Sequence, residues 1–430
     1  MFRATEMSNL LETAREWVRR HMQVENVSEA EAAAREVAQA VGQVVAEEAI
    51  RQIDGKQSYR GCSVPCACGR KARFVGYRRR SLSTLSGVVE VTRAYYHCGR
   101  CHRGQIPWDA DQGLNARLWT PRVKALVAEM AARLPYQETT TLLGRLLRLQ
   151  LEESSAEAIV AEVGDRARDA ERGAMGAVEM GEPVSCPGPV PQRLYVAMDG
   201  SHVHVDGTWH EVKTGVVYPG VCGPAGGDVS GDKRYVSAQE TAESFGVRLY
   251  VAAGQSGVGD AEEVVVIGDG AEWIWNVADH HYPNATKIVD YWHACEHIHE
   301  VAKSCYGEGS VAGQRWAREH CRRLKDHGPK PLLRALGRWR TENPGAAEAI
   351  RAARRYFNSH AQRMDYPAFR RRGLMIGSGL AEAACKVVVG LRLKQAGMRW
   401  KSPGADAILA LRCLVLNEQY NEIHCFAQAA

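Results

Sequence analysis

The stretch Val264–Trp275, VVVIGDGAEWIW, decides the fold class. Four aliphatic residues in a row, Val264 to Ile267, predict a buried strand, since a half-exposed strand alternates apolar and polar side chains. From Ala271 onward the pattern turns helical, and a strand feeding a helix is the unit of an α/β sheet. Between them stands one carboxylate, Asp269, bracketed by Gly268 and Gly270. At the exit of a core strand such an acid is either a cap, accepting N–H bonds from Ala271 or Glu272, or a reagent.

The same signature recurs upstream. RLYVAMDGSHVHVDG (193–207) predicts a strand ending at Asp199, again followed by glycine, with a second strand behind it. WHEVKTGVVYP (209–219) looks like the third element of a meander. RYVSAQETAESFGVRLYVAAGQSG (234–257) extends the sheet or carries a helix, and ATKIVDYWHA (285–294) supplies another strand. Antiparallel strands followed by βαβ units predict a mixed-sheet α/β core. Adjacent strand ends would bring Asp199 and Asp269 together, and two anions at low dielectric repel. A divalent cation resolves that conflict. Magnesium prefers carboxylate oxygens and water, and two such ions about 4 Å apart can hold the attacking and leaving oxygens of a phosphodiester. The best third acid is Glu382, in LMIGSGLAEAACKVVVGLRLKQAGMRWKSPGADAILALR (374–412). It opens a helix after the flexible Gly377-Ser378-Gly379, with Lys386 one turn on and Arg392, Lys394, Arg399 and Lys401 downstream as cations for DNA phosphates.

Thirteen cysteines are many for a cytoplasmic chain, where disulfides are rare. Cys62, Cys66 and Cys68 cluster in CSVPCACGRKARF, and Cys98 and Cys101 follow thirty residues later in YYHCGRCHRG. Two close pairs fit tetrahedral zinc ligation by thiolates. RRRSLSTLSGVVEVTRAYY, between them, alternates like a hairpin with Gly87 at its turn, which completes the layout of a zinc ribbon. The first pair, Cys66 and Cys68, is tighter than the usual Cys-x-x-Cys, so Cys62 could replace one member. The other eight cysteines, Cys222 among them, are scattered and read as packing residues.

The chain of 430 residues is 45% hydrophobic and 24% charged, the composition of a multidomain soluble protein. No apolar run is long enough for a membrane span, and the start has no apolar core of a signal peptide, so a cytoplasmic protein is expected. A net charge of +5 excludes a uniform cationic coat, although Arg351–Arg372 carries seven arginines against Asp365. Residues 1–55 read as an N-terminal helical region, its second helix capped by Ser28; 56–110 form the ribbon. Residues 111–180 hold three helices, starting at Thr120-Pro121, after Pro135, and at Ser154 or Ser155, compatible with a helix-turn-helix-like DNA-binding domain. GEPVSCPGPVPQ (181–192), with four prolines, is a linker. The α/β core then runs 193–300 and 373–430, around helices at 301–372. In that helical part Trp316 and Trp339 read as packing residues rather than base-stacking platforms.

The order Asp-Gly, Asp-Gly, then Gly-Ser-Gly-x-x-Glu resembles the DDE transposases of bacterial insertion sequences. The tail 376–412, the ribbon CACGRKARFVGYRRRSLSTLSGVVEVTRAYYHCGRC and LPYQETTTLLGRLL look specifically like the ISKra-type family, related to the Mutator-like group. The resemblance covers nearly the whole chain. It implies an RNase H-like core with an all-helical insertion, with Asp199 on the first strand, Asp269 after the fourth and Glu382 on a late helix. Related groups carry Asp or Cys, two residues, then His after the fifth strand, which matches Asp290 and His293 here. Magnesium prefers oxygen ligands, so His293 is expected to orient or pack the site rather than bind metal.

These expectations compose a DNA transposase of a mobile element. It would hold two Mg2+ (or Mn2+) ions per active site and a structural Zn2+. Its acids would cut and join DNA strands without a covalent protein–DNA intermediate. Ribbon and helix-turn-helix would recognise the terminal inverted repeats, and a homodimer or larger assembly would hold two ends, in the cytoplasm at the nucleoid. A domesticated, non-catalytic DNA-binding regulator and a nuclease without strand transfer are the rivals, and inverted repeats beside the gene would favour the mobile element.

Overall fold

The computed structural model describes residues 4–114, 119–222 and 228–428, with side chains at all of these except 4–7, 10, 54–57, 221, 222 and 228–230. Cys222 therefore lies outside the described side chains. The chain divides into two compact units, one of residues 1–124, 140–152 and 427–430, the other of 125–139 and 153–426.

In the first unit, helices α1 (Ala4–His21) and α2 (Val27–Gln57) precede a four-stranded antiparallel sheet. Helix α2 starts before Ser28: Asn26 caps it by accepting from the Glu29 N–H, while Glu29 takes the Glu25 N–H, a reciprocal box that outcompetes the serine. The sheet runs β1 (Ser63–Pro65), β2 (Lys71–Thr84), β3 (Gly87–His97) and β4 (Gly104–Gln105), and a short helix α3 (Pro107–Asp111) follows. Gly87 stands just past the two-residue turn with φ 122°, a backbone that L side chains rarely adopt. A bulge between Phe74 and Gly76 switches the faces of the β2–β3 hairpin. Toward the cysteines Val64, Ala72, Ala94 and Tyr96 are buried; toward the tip Leu82 and Val91 pack with Trp108. Buried Asp109 holds both Arg93 (2.6 Å) and Arg80 (3.3 Å).

Helices α4 (Pro121–Arg133), α5 (Tyr136–Leu147) and α6 (Glu153–Glu179) start within a residue or two of the expected positions. Long α6 packs along α16 (Ser402–Leu416), where a Cβ on Gly164 would lie 2.6 Å from that of Ala407. Its buried face, Ile159, Val160 and Val163, is thus given to the second unit.

The second unit is built on a six-stranded mixed sheet. Strands β5 (Arg193–Val205) and β6 (Thr208–Cys222) form an antiparallel hairpin around Asp206-Gly207, both at positive φ as a two-residue turn with the strand twist demands. Beyond β6, a short β7 (Asp228–Ser230) and β8 (Arg234–Ala238) pair antiparallel with it. On the other side β9 (Glu263–Gly268) lies parallel to β5, and β10 (Thr286–Val289) parallel to β9. Val265, Val266 and Ile267 are fully buried, as the opening run required.

Two expectations need correction. Strand β5 does not end at Asp199 but continues to Val205, because β6 pairs along its whole length while only β9 stops. The stretch 209–219 lies in the second strand of the meander, β6, not the third. Residues 234–257 supply both of the alternatives, β8 and then helix α7 (Ala242–Gln255). After β9 comes α8 (Glu272–His281); after β10 a wholly helical block, α9 (Tyr291–Tyr306), α10 (Val311–His327), α11 (Lys330–Arg338), α12 (Pro344–Ser359), a 3-10 turn and α13 (Tyr366–Arg371). The chain then enters α14 (Gly379–Ala384), a π-helical turn (Cys385–Gly390), α15 (Leu391–Leu393), α16 and α17 (Tyr420–Gln428). No helix among the described residues is long and apolar enough to cross a membrane.

Candidate active site and metal centre

Parallel register places the two aspartates side by side. Ala197 of β5 pairs with Ile267 of β9, so Asp199 and Asp269 each stand two residues beyond the same rung. Burial pushes the Asp199 carboxyl above its usual range, and the charge of Asp269 pushes it further; the Gly200 N–H at 2.7 Å, the Cys385 thiol and His293 pull the other way. The two acids thus share a field, as the strand-end argument requires.

Asp269 accepts the Ala271 N–H at 2.8 Å, but the N-cap of α8 is Ala271 itself, which makes no side-chain cap. The acid therefore shapes the loop before the helix rather than capping it. Its flanking glycines have separate causes. A Cβ on Gly268 would lie 2.6 Å from Ile274 of α8; Gly270 has φ 110° and a Cβ there would lie 2.7 Å from the Tyr356 ring. Tyr356, on α12, also donates its hydroxyl to the Asp269 carbonyl at 2.8 Å.

Asp290, after β10, is 5% exposed and fully engaged. It caps α9 through the N–H groups of Trp292 and His293, and its other oxygen takes the N–H and the hydroxyl of Ser378, the latter at 2.5 Å. This carboxylate ties the Gly377–Gly379 loop to the sheet edge and so sets where α14 begins. His293 Nδ1 lies 3.2 Å from Glu296, and its ring meets that of His297 edge-on. Burial, then the neighbouring His293, brings His297 down to about 4.

Glu382 is exposed on α14, which packs on β5 and β6. One turn later Cys385 bonds both Asp199 and Thr214, the residue opposite Asp199 in the hairpin, and burial raises its thiol to about 12. Cys385 reads as a packing residue in the sequence and Tyr356 carries no local signal, because each meets its partner on a distant segment. Trp316 and Trp339 pack on one another at 5.0 Å within the second unit, as expected.

Among the cations assigned to DNA, Lys386, Lys394, Arg399 and Lys401 are exposed, and Lys394 reaches Ser201, two residues past Asp199 on β5, at 2.5 Å. Arg392 is a correction. It is 1% exposed, donates to the Ala131 carbonyl at 2.8 Å and lies between the Tyr136 and Trp400 rings, because its helix turns that face into the core. The arginine run 351–372 is largely occupied locally: Arg351 and Arg355 by Glu348, Arg370 by Asp326, Arg372 by Glu263.

In the ribbon, Cys66, Cys68, Cys98 and Cys101 bring their Sγ atoms within 4.8 Å of one another, the only such group of His, Cys, Asp or Glu among the described residues. Cys66–Cys101 and Cys68–Cys98 are each 3.6 Å apart and no disulfide links them. Four thiolates at about 2.3 Å from a tetrahedral zinc stand about 3.8 Å apart, so the cage fits the ion. N–H groups of Cys101 and Arg100 point at the Cys98 sulfur and lower its thiol. Cys62 is exposed and turned to the Tyr59 hydroxyl, outside the cage. Asp199, Asp269 and Glu382 do not together form a group of three ligands within 4.8 Å. Neither the family models nor the curated proteins compared with this chain give a match.

Proposed function

We propose that the chain is a DDE transposase of a bacterial insertion sequence, of the ISKra type, cutting and joining DNA strands with Asp199, Asp269 and Glu382. The observation that carries this is the pairing of Asp199 and Asp269 just past one rung of adjacent parallel strands. The strand order β10-β9-β5-β6, with β7 and β8 both antiparallel to β6, supports an RNase H-like core, and the helical block between β10 and Glu382 supports an insertion.

Hard carboxylate oxygens at mutually repelling acids fit Mg2+ or Mn2+, and the pair of ions would supply charge stabilisation to the attacking and leaving oxygens. The protein's own part is positional. Asp290 fixes the loop that launches α14, Cys385 joins that helix to Asp199, and Tyr356 fixes the backbone of Asp269. Lys394 stands where a phosphate near Asp199 would need a counter-charge. The DNA partner is the element's terminal repeats and the target duplex, and joining two ends favours a homodimer or larger assembly, at the nucleoid in the cytoplasm.

Asp269→Asn and Glu382→Gln decide the matter. Each keeps its shape and loses one metal ligand, so both variants should bind labelled end DNA at least as tightly as the parent, since repulsion from phosphate is reduced. Both should lose Mg2+-dependent cleavage by several orders of magnitude, because a ligand displaced by about half an ångström already spoils the geometry. Substantial cutting by Asp269→Asn would leave that acid as a loop-former and withdraw the assignment. Binding by the parent protein without any cutting would favour a DNA-binding regulator.

A further inference from the structure

Positive charge is concentrated in one part of the chain. Residues 59–114 contain ten Lys and Arg against three Asp and Glu, a net of +7; the rest carries 45 against 47, a net of −2. Zinc on four thiolates would add −2, leaving the ribbon at +5, still the whole excess of the protein. Three of the ten cations are held by acids: Arg80 and Arg93 by Asp109, Arg60 by Asp111. The remaining seven are all exposed, and none has an acid within ion-pair distance among the described residues. They are Arg73, Arg78 and Arg79 on β2, Arg70 and Lys71 beside one cysteine pair, and Arg100 and Arg103 beside the other. Between them the hairpin exposes Val75 (58%) and Tyr77 (57%), apolar surface that a solvated charge run does not need.

We propose that this ribbon is the main duplex-DNA anchor of the protein, holding the phosphate backbone through these seven cations while Tyr77 lies against sugars or base edges. Taking the polyanion to be duplex DNA rests on the function proposed above; a two-stranded β-ribbon also matches a major groove about 12 Å wide. The residues differ from the cations near Glu382, which would meet only the DNA being cut.

The test uses the full-length zinc-loaded protein and a fluorescent 30-base-pair duplex without divalent ions, so that no cleavage is required. Each phosphate contact contributes about 0.9 to the slope of log K against log salt. Replacing Arg73, Arg78 and Arg79 together by Gln should lower that slope by about 2.7 and weaken binding on the order of a hundredfold at 0.15 M salt. A second triple variant, Arg70, Lys71 and Arg103 to Gln, guards against one that misfolds, and retained zinc shows that each ribbon is intact. Replacing exposed Arg318, Arg334 and Arg354 of the helical block removes the same charge and should leave the slope nearly unchanged. An equal loss in this control, or unchanged binding by both ribbon variants, overturns the proposal. Tighter binding to single-stranded or double-stranded RNA than to the duplex overturns it too. The outcomes are separable from the transposase reading: a parent that never cuts DNA can still show the ribbon-dependent slope, and one that cuts can lack it.

Discussion

Tyr356 holds Asp269 from a helix 87 residues away, and the bond is to the backbone, so it fixes the loop whatever the charge of the acid. Gly270 is the complement of that contact: any side chain there must both adopt φ 110° and displace the ring. Gly270→Ala should therefore cost about 1–3 kcal/mol of stability from the backbone alone. Tyr356→Phe keeps the ring and loses one hydrogen bond, about 1 kcal/mol. Denaturant midpoints of the two variants check this; an alanine variant as stable as the parent would mean that the loop relaxes freely around Tyr356. The two aspartates were legible because an aliphatic run followed by Asp-Gly is a local pattern. The causes of the glycines were not, since Ile274 and Tyr356 meet them only in the folded sheet. Asp290 shows the same limit: its partner Ser378 lies 88 residues on, and no spacing links the two.

At the scale of elements, the segment from α14 to α15 is held by two buried arginines. The π-helical turn frees carbonyls from the regular ladder, and Arg412 of α16 donates to those of Val387 and Val388, and to Ala132 at 2.7 Å. Arg392 donates to Ala131, so both guanidiniums meet the carbonyl end of α4, where the helix dipole favours cations. Burial lowers Arg392 to about 10, which leaves it charged at neutral pH. Charge and helical spacing cannot distinguish such an arginine from one that meets phosphate, so Arg392 and its neighbour Lys394 read alike in the sequence although one is buried and the other exposed. Arg412→Met leaves several buried carbonyls without a donor, at roughly 1–3 kcal/mol each, and should lower the melting temperature markedly. Arg392→Met should reduce stability without changing the salt slope of DNA binding, whereas Lys394→Gln should reduce the slope by up to about 0.9 with little loss of stability. A slope unchanged by Lys394→Gln but lowered by Arg392→Met would reverse these roles.

At the scale of the whole molecule, the two units are stabilised by different means. The second has a large continuous core around its sheet, and the cysteines buried there form no ligand group among the described residues. The ribbon end of the first has only Val64, Ala72, Ala94 and Tyr96 buried beside its buried cysteines, too little apolar surface to offset chain entropy. Structural zinc is worth about 10–16 kcal/mol in zinc-finger peptides, comparable to the whole stability of an ordinary domain. Removing it should therefore unfold the ribbon and spare the mixed sheet. Elemental analysis should find roughly one zinc per chain, lost in a Cys98→Ser, Cys101→Ser double variant because neutral hydroxyls are poor ligands. Calorimetry with a strong chelator should remove one transition and leave another near its original temperature. Cys62→Ser should change neither, since that thiol faces Tyr59 rather than the cage. A native protein without zinc, with melting indifferent to chelator, would mean that the four thiols are simply buried side chains, and the ribbon would then need another source of stability.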